Sequence, residues 1–215
     1  MESQDGSLSV ALAPSAVPTE RFHVMPRAMP VSLVEEIVAG FGASAARLKA
    51  AGLDGVEVVA SHGYLPAQFL NPRTNIREDA YGGSLENRLR FLREVIDAIR
   101  IQVGREFVVG LRVSASEETD DGLQTDEVID ALRALDADGT LDYVSVVAGT
   151  SATLTGSDHI APPMSFPAAY VAPLAGQVKQ AVSVPVMVAG RINQPQEGEQ
   201  GLASGQADMV AMTRA

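Results

Sequence analysis

His62 and Tyr64 are separated by a single glycine, Gly63. An imidazole and a phenol so placed can share work, one orienting a substrate carbonyl while the other moves a proton. Taken alone, the tripeptide is a weak sign, since such residues are more often satisfied loop or core groups. His159 lies within residues 149–166, a stretch long enough between regular elements to mark a functional loop, and it is the third candidate catalytic residue. His23, in a proline-rich segment, has no such company. Arg112 interrupts the apolar run 107–113. A cation in a buried strand needs either an anionic or carbonyl ligand or a neighbouring carboxylate. Gly190-Arg191 and Thr213-Arg214 each follow an apolar run, and two such arginines suit a bound phosphate, with the glycine letting backbone approach. Two solvated loop arginines are the alternative.

Elements of alternating period must position these groups. Ser32 and Glu35 have capping-box spacing, and Val34, Ile37, Val38, Phe41, Ala45 and Leu48 form an apolar stripe that stops at Gly52. The β-branched run 56–60 reads as a buried strand. Ser84 caps a second helix whose Leu85, Leu89, Leu92, Ile96, Ile99 and Val103 recur at steps of three and four before Gly104. Strand 107–113 follows. The alternation continues with a helix opened by Thr125 and strand 143–148, a helix from about Pro167 and strand 184–189, and a helix from about Pro195 and strand 209–212. Such order implies right-handed crossovers, a parallel sheet and helices outside it. No Gly-x-Gly-x-x-Gly follows any strand, which favours a barrel over a dinucleotide-binding sheet. In a parallel barrel every strand's carboxyl end faces one way, so His62, Tyr64, Arg112, Gly190, Arg191, Thr213 and Arg214 converge on one face. Residues 1–30, with Pro14, Pro18, Pro26 and Pro30, read as an extended N-terminal arm preceding a domain over 31–215.

Composition narrows the classes. A formal charge of −11 repels nucleic acid and anionic lipid, which leaves a small molecule as the expected partner. No apolar run is long enough to span a bilayer, and the N-terminus lacks a signal peptide's basic and apolar regions, so a cytoplasmic location is expected. With no cysteine there is no disulfide, thiolate nucleophile or cysteine-ligated cluster, and three histidines make no metal site expected. The sixteen basic residues include only Lys49 and Lys179 as lysines, so any anion site would use arginine.

The segment Asp54-Gly55-Val56-Glu57-Val58-Val59-Ala60-Ser61-His62-Gly63-Tyr64-Leu65, with Gln68-Phe69-Leu70-Asn71-Pro72, Asn75, Arg77 and Tyr81-Gly82-Gly83-Ser84-Leu85-Glu86-Asn87-Arg88, resembles the old yellow enzyme family of NADH:flavin oxidoreductases. It looks closest to the branch holding dienoyl-CoA reductases and trimethylamine dehydrogenase. Val109-Gly110-Leu111-Arg112-Val113-Ser114, Gly190-Arg191-Ile192 and the tract 207–215 extend the resemblance, as does Ala13-Pro14-Ser15-Ala16-Val17-Pro18, which is similar to the family's loop after its third strand.

The resemblance implies a (β/α)8 TIM barrel binding FMN, with NAD(P)H as electron donor and hydride passing through the flavin to an activated alkene or related acceptor. It places Arg112 against the flavin pyrimidine, and Gly190, Arg191, Thr213 and Arg214 about the phosphate. It gives His62 the second position of the family's substrate-binding pair and Tyr64 the proton donor's place. Val59 holds the first position of that pair, where a valine offers no hydrogen bond. By the same alignment the strands present are the family's fourth to eighth, the first three falling before Met1, and Ala215 precedes the helix that completes the phosphate site. An incomplete barrel is therefore expected. Its competitors are a non-enzymatic fragment that binds no flavin alone and self-associates through open sheet edges, and a cofactor-free lyase or isomerase that keeps the arginine phosphate site.

Overall fold

The computed structural model describes residues 10–212. Five parallel strands form one sheet in chain order, β3 (Gly55–Ala60), β4 (Val108–Ser114), β5 (Tyr143–Val147), β6 (Val186–Ala189) and β7 (Met209–Ala211). Successive neighbours joined by helices form the sector of a (β/α)8 barrel that strands four to eight occupy. Two shorter strands, β1 (Leu12–Ala13) and β2 (Arg27–Ala28), pair in parallel within the proline-rich segment. Arg77 ties that segment down, its Nη1 donating to the carbonyls of Pro14 (2.8 Å) and Met29 (2.7 Å).

Strand alternation sorts the sheet's side chains into two sets. Val58, Val109, Leu111, Val113, Val144, Val146, Val186 and Val188 are buried with the helices in one core. The other set shares the opposite face in registered rows. One row holds Glu57, Gly110 and Tyr143, and the next holds Val59, Arg112, Ser145, Met187 and Met209.

On the outer side, α1 (Val31–Ala50) packs against α3 (Leu85–Val103), and Phe69, Phe91 and Tyr81 form an aromatic cluster with the first two rings stacked at 4.2 Å. The side chain of Ser84 caps α3 as its position predicts, accepting from the Asn87 amide.

Several expected boundaries move. Helix α1 begins at Val31 with Pro30 as N-cap, so Ser32 lies inside the first turn and its capping box is not formed. Proline's fixed φ already suits that entry, which leaves the serine nothing to cap. Helix α4 (Thr125–Ala137) does open at Thr125, and Gln124 caps it, forming a reciprocal box with Glu127. Helix α6 starts at Ala172, not near Pro167, because Ala169 adopts φ 54° and holds the preceding residues in turns. Strand β6 starts at Val186, after Pro185. Helix α7 (Pro195–Ala203) begins where the sequence places it.

Two helices escape the apolar periodicity: α2 (Leu65–Leu70) and α5 (Leu154–Ile160). Each is under two turns, too short to show a stripe, and each has a local sign instead. Pro66 stands in the first turn of α2, and the Thr153 hydroxyl accepts from the Gly156 amide to open α5.

Candidate functional site

The carboxyl ends of β3, β4 and β5 meet at His62. Its backbone is left-handed (φ 59°), a conformation that costs a non-glycine residue unless neighbours impose it. They do so at both of its backbone polar groups. The His62 amide donates to Ser114 Oγ (2.9 Å), whose own hydroxyl donates to the Gly149 carbonyl (2.7 Å). The His62 carbonyl accepts from the Ser151 amide and the Ser151 hydroxyl, both at 2.9 Å. At Gly63, φ is 70° and an added Cβ would stand 2.4 Å from Thr150 Oγ1, so this turn admits only glycine. A single hydroxyl, Ser114, thus joins three strand ends.

The clamp sets the imidazole's chemistry. Burial lowers the His62 pKa from the ordinary value, the Gly149 backbone partly offsets that, and the Arg112 charge lowers it further. The ring is neutral at pH 7, with a buried Nδ1 that has no hydrogen-bond partner among the described residues. Tyr64 stands edge-on to it, ring centroids 6.1 Å apart, and is 51% exposed at the start of α2. The structure therefore brings His62 and Tyr64 together on the accessible side of the sheet.

Arg112 is two residues before Ser114 on β4, on the face opposite the helices. Its Nε lies 2.7 Å from Glu57 Oε1, an ion pair in which the N–H is not aligned for a hydrogen bond. The other Glu57 oxygen accepts from the Tyr143 hydroxyl at 3.0 Å. Burial and the Glu57 charge push the Tyr143 phenol up to about 12, so it stays a donor. Of the two partners open to Arg112 from its sequence, the neighbouring carboxylate is present. Its terminal guanidinium nitrogens make no hydrogen bond among the described residues.

His159 is elsewhere in character. Its ring packs against Phe166 (4.7 Å, edge-on) and Tyr170 (5.7 Å), and the Tyr170 hydroxyl donates to the His159 carbonyl. It lies beside the His62 group at Gly149, where an added Cβ would lie 2.7 Å from His159 Cβ.

At the end of β6, Gly190 has φ 151°, and a Cβ there would stand 2.3 Å from Val171 Cγ2. Packing against α6 already accounts for the glycine. Arg191 follows in a left-handed conformation (φ 43°), lines an open cavity with Pro162, Met164 and Asn193, and makes no side-chain ion pair or hydrogen bond among the described residues. Thr213 and Arg214 lie outside the described residues.

Glu57, Tyr143, Ser114 and Ser151 have working roles that residue type and spacing alone did not flag. Two signs were present: a glutamate inside a β-branched strand and a glycine, Gly110, inside the next.

These residues fit a flavin. Among the described residues, Arg112 leaves its outer nitrogens without a partner, open to a ring carbonyl or an anionic ring, and Arg191 is a cation with no side-chain partner at a loop beyond β6. Fold and site together are those of a parallel α/β barrel sector with its polar residues at one end. The family model described as NADH:flavin oxidoreductase / NADH oxidase matches residues 2–215, and the chain belongs to that family. Over 179 residues, 83% of this chain, it is 42% identical to N,N-dimethylglycine/sarcosine dehydrogenase of Chromohalobacter salexigens. Its fold superposes on 2-naphthoyl-CoA reductase with a TM-score of 0.84 at 29% identity, covering 94% of this chain and 32% of that one. Histamine dehydrogenase from Rhizobium sp. 4-9 gives 0.84 at 30% identity, covering 96% and 30%. The chain spans 26% of the Chromohalobacter protein's length.

Proposed function

We propose that this chain carries part of the flavin and substrate site of an FMN-dependent oxidoreductase, in which hydride moves between a small substrate and the flavin, with NAD(P)H as an electron donor. The observation that carries it is Arg112, held by Glu57 on the face away from the helices with its terminal nitrogens unpartnered among the described residues, one row from the open end where His62 and Tyr64 stand. Bound FMN would supply the hydride acceptor and donor. Arg112 would direct its terminal N–H donors at the reduced ring, and Arg191 would meet its phosphate. His62, neutral at pH 7, can accept a substrate N–H or donate to a carbonyl. Tyr64 can deliver or take a proton at a substrate atom.

Val59 chooses among substrates. It is 38% exposed in the row that includes Arg112, and it gives apolar contact where a hydrogen bond to a carbonyl would otherwise be made. A site with one polar anchor, His62, and an apolar wall suits an N-alkyl amine better than an enone that needs two donors. The names of the dimethylglycine/sarcosine and histamine dehydrogenases support the same class. Reduction of an activated alkene with Tyr64 as proton donor is the alternative substrate choice, favoured by the exposure of Tyr64.

A second reading is a partial barrel that binds no flavin and associates through its sheet edges, favoured by β3 and β7 each having a single strand neighbour among the described residues. One experiment separates them. FMN titrated into the 215-residue protein loses fluorescence as it binds, and under anaerobic conditions an N-methyl amine bleaches the bound flavin. Bleaching by NADPH followed by reoxidation with an enone would select the alkene instead. Unchanged FMN fluorescence, together with light scattering that grows with protein concentration, would overturn the flavin reading in favour of the second.

A further inference from the structure

We propose that Glu57 is the positioning residue for Arg112, and that Tyr143 sets Glu57 in place by reaching it across the gap left at Gly110. The claim rests on the flavin reading only for what Arg112 faces, not for the relay itself.

The relay follows from strand register. Glu57 on β3, Gly110 on β4 and Tyr143 on β5 are registered partners in one row, so Glu57 and Tyr143 are two strands apart. That is about 9.6 Å between backbones at ordinary strand spacing. A phenol spans this distance only by lying across the middle strand. At Gly110 an added Cβ would stand 2.1 Å from Tyr143 Cζ and 2.6 Å from its hydroxyl oxygen. Any other residue at 110 evicts the ring. The glycine's role is therefore to open a path between β5 and β3, which is the close approach that a strand glycine commonly marks.

The carboxylate is divided between two tasks. Oε2 accepts from the Tyr143 hydroxyl (3.0 Å), and this turns Oε1 toward Arg112 Nε (2.7 Å) in the next row. Arg112 must lean back one row to meet it, which fixes the guanidinium by its inner nitrogen and leaves the outer two without a hydrogen bond among the described residues. An arginine held this way presents a defined pair of donors. One without its carboxylate samples several rotamers and must be ordered by the ligand. Glu57 also makes the pair neutral overall, so the site offers directed donors rather than a free cation.

The test reads Arg112 itself. In the 15N-labelled 215-residue protein, the Arg112 Nε–H resonance is assigned by its loss in Arg112→Lys, and its exchange with water is measured. Glu57→Gln is expected to speed that exchange about tenfold, because the Nε now buried against the carboxylate is freed to reach water. Tyr143→Phe and Gly110→Ala are expected to speed it by smaller, similar amounts, since each removes the same tether without touching either charge. A purely structural role for Glu57 would lower global stability while leaving this resonance unmoved in the folded protein. Unchanged exchange in Tyr143→Phe or in Glu57→Gln overturns the proposal. Because Tyr143→Phe removes only one oxygen, it serves where Glu57→Gln fails to fold. FMN titration of the same variants keeps the two readings apart. Failure of the unaltered protein to bind FMN counts against the flavin reading alone, while the exchange rates still decide the relay.

Discussion

The two ends of this sheet treat their polar residues differently. At the β3–β4–β5 end, each functional group is held by another: His62 by Ser114 and Ser151, Arg112 by Glu57, Glu57 by Tyr143. At the β6–β7 end, Arg191 projects into an open cavity without a side-chain partner among the described residues, and Gly190 answers to the packing of Val171. The first end is preorganised before any ligand arrives. The second end leaves its cation's ordering to whatever binds it. Orientation matters most where a substrate must meet a reacting atom, and charge alone suffices where an anion is to be captured.

The comparison can be broken most sharply at Ser114. Ser114→Ala strands the His62 amide and the Gly149 carbonyl together, and is expected to cost about 3 kcal/mol in denaturant unfolding. The same variant should return the His62 titration, followed by NMR, toward the ordinary value. An unmoved titration would mean that the clamp does not hold the ring. Next in size, Gly190→Ala should cost about 2 kcal/mol from its positive φ together with crowding against Val171, and adding Val171→Ala should restore only the part due to the Val171 methyls. A complete failure to restore would show that the backbone conformation alone demands the glycine.

Acid provides a gentler probe of the same end. Because the folded His62 pKa lies below its unfolded value, the unfolded chain takes up that proton first. His62 therefore contributes stability that is present above about pH 6.5 and is lost as pH falls through the folded pKa. Denaturant midpoints measured downward from pH 7 should fall less in His62→Gln than in the unaltered protein. Smallest of all, Arg191→Ala should change stability by under about 0.5 kcal/mol, as expected for an unpaired residue. It should nevertheless abolish any stabilisation by added phosphate. A large loss of stability there would show that the two ends are built alike.

The alternating order of helices and strands was legible because each long element carries its own period, as in the stripe of α3 and the β-branched runs of β3 and β4. Short α2 and α5 were not, since one and a half turns contain too few positions to show a stripe. In the site, the tract around His62 and Tyr64 and the position of Arg112 could be read directly, and the resemblance gave them roles. Ser114 and Ser151 could not, because a serine's partner depends on which strand ends lie beside it.

By itself, the sequence determined the parallel α/β order, the family, and the place of His62, Tyr64 and Arg112 on one side of the sheet, because periodicity, caps and a specific tract are local properties of the chain. Only the tertiary structure decided that Arg112 is paired with Glu57, that Tyr143 crosses Gly110 to reach that carboxylate, and that one hydroxyl locks His62. Those facts depend on strand register, which brings residues tens of positions apart within hydrogen-bond distance and leaves no trace in the spacing of either partner.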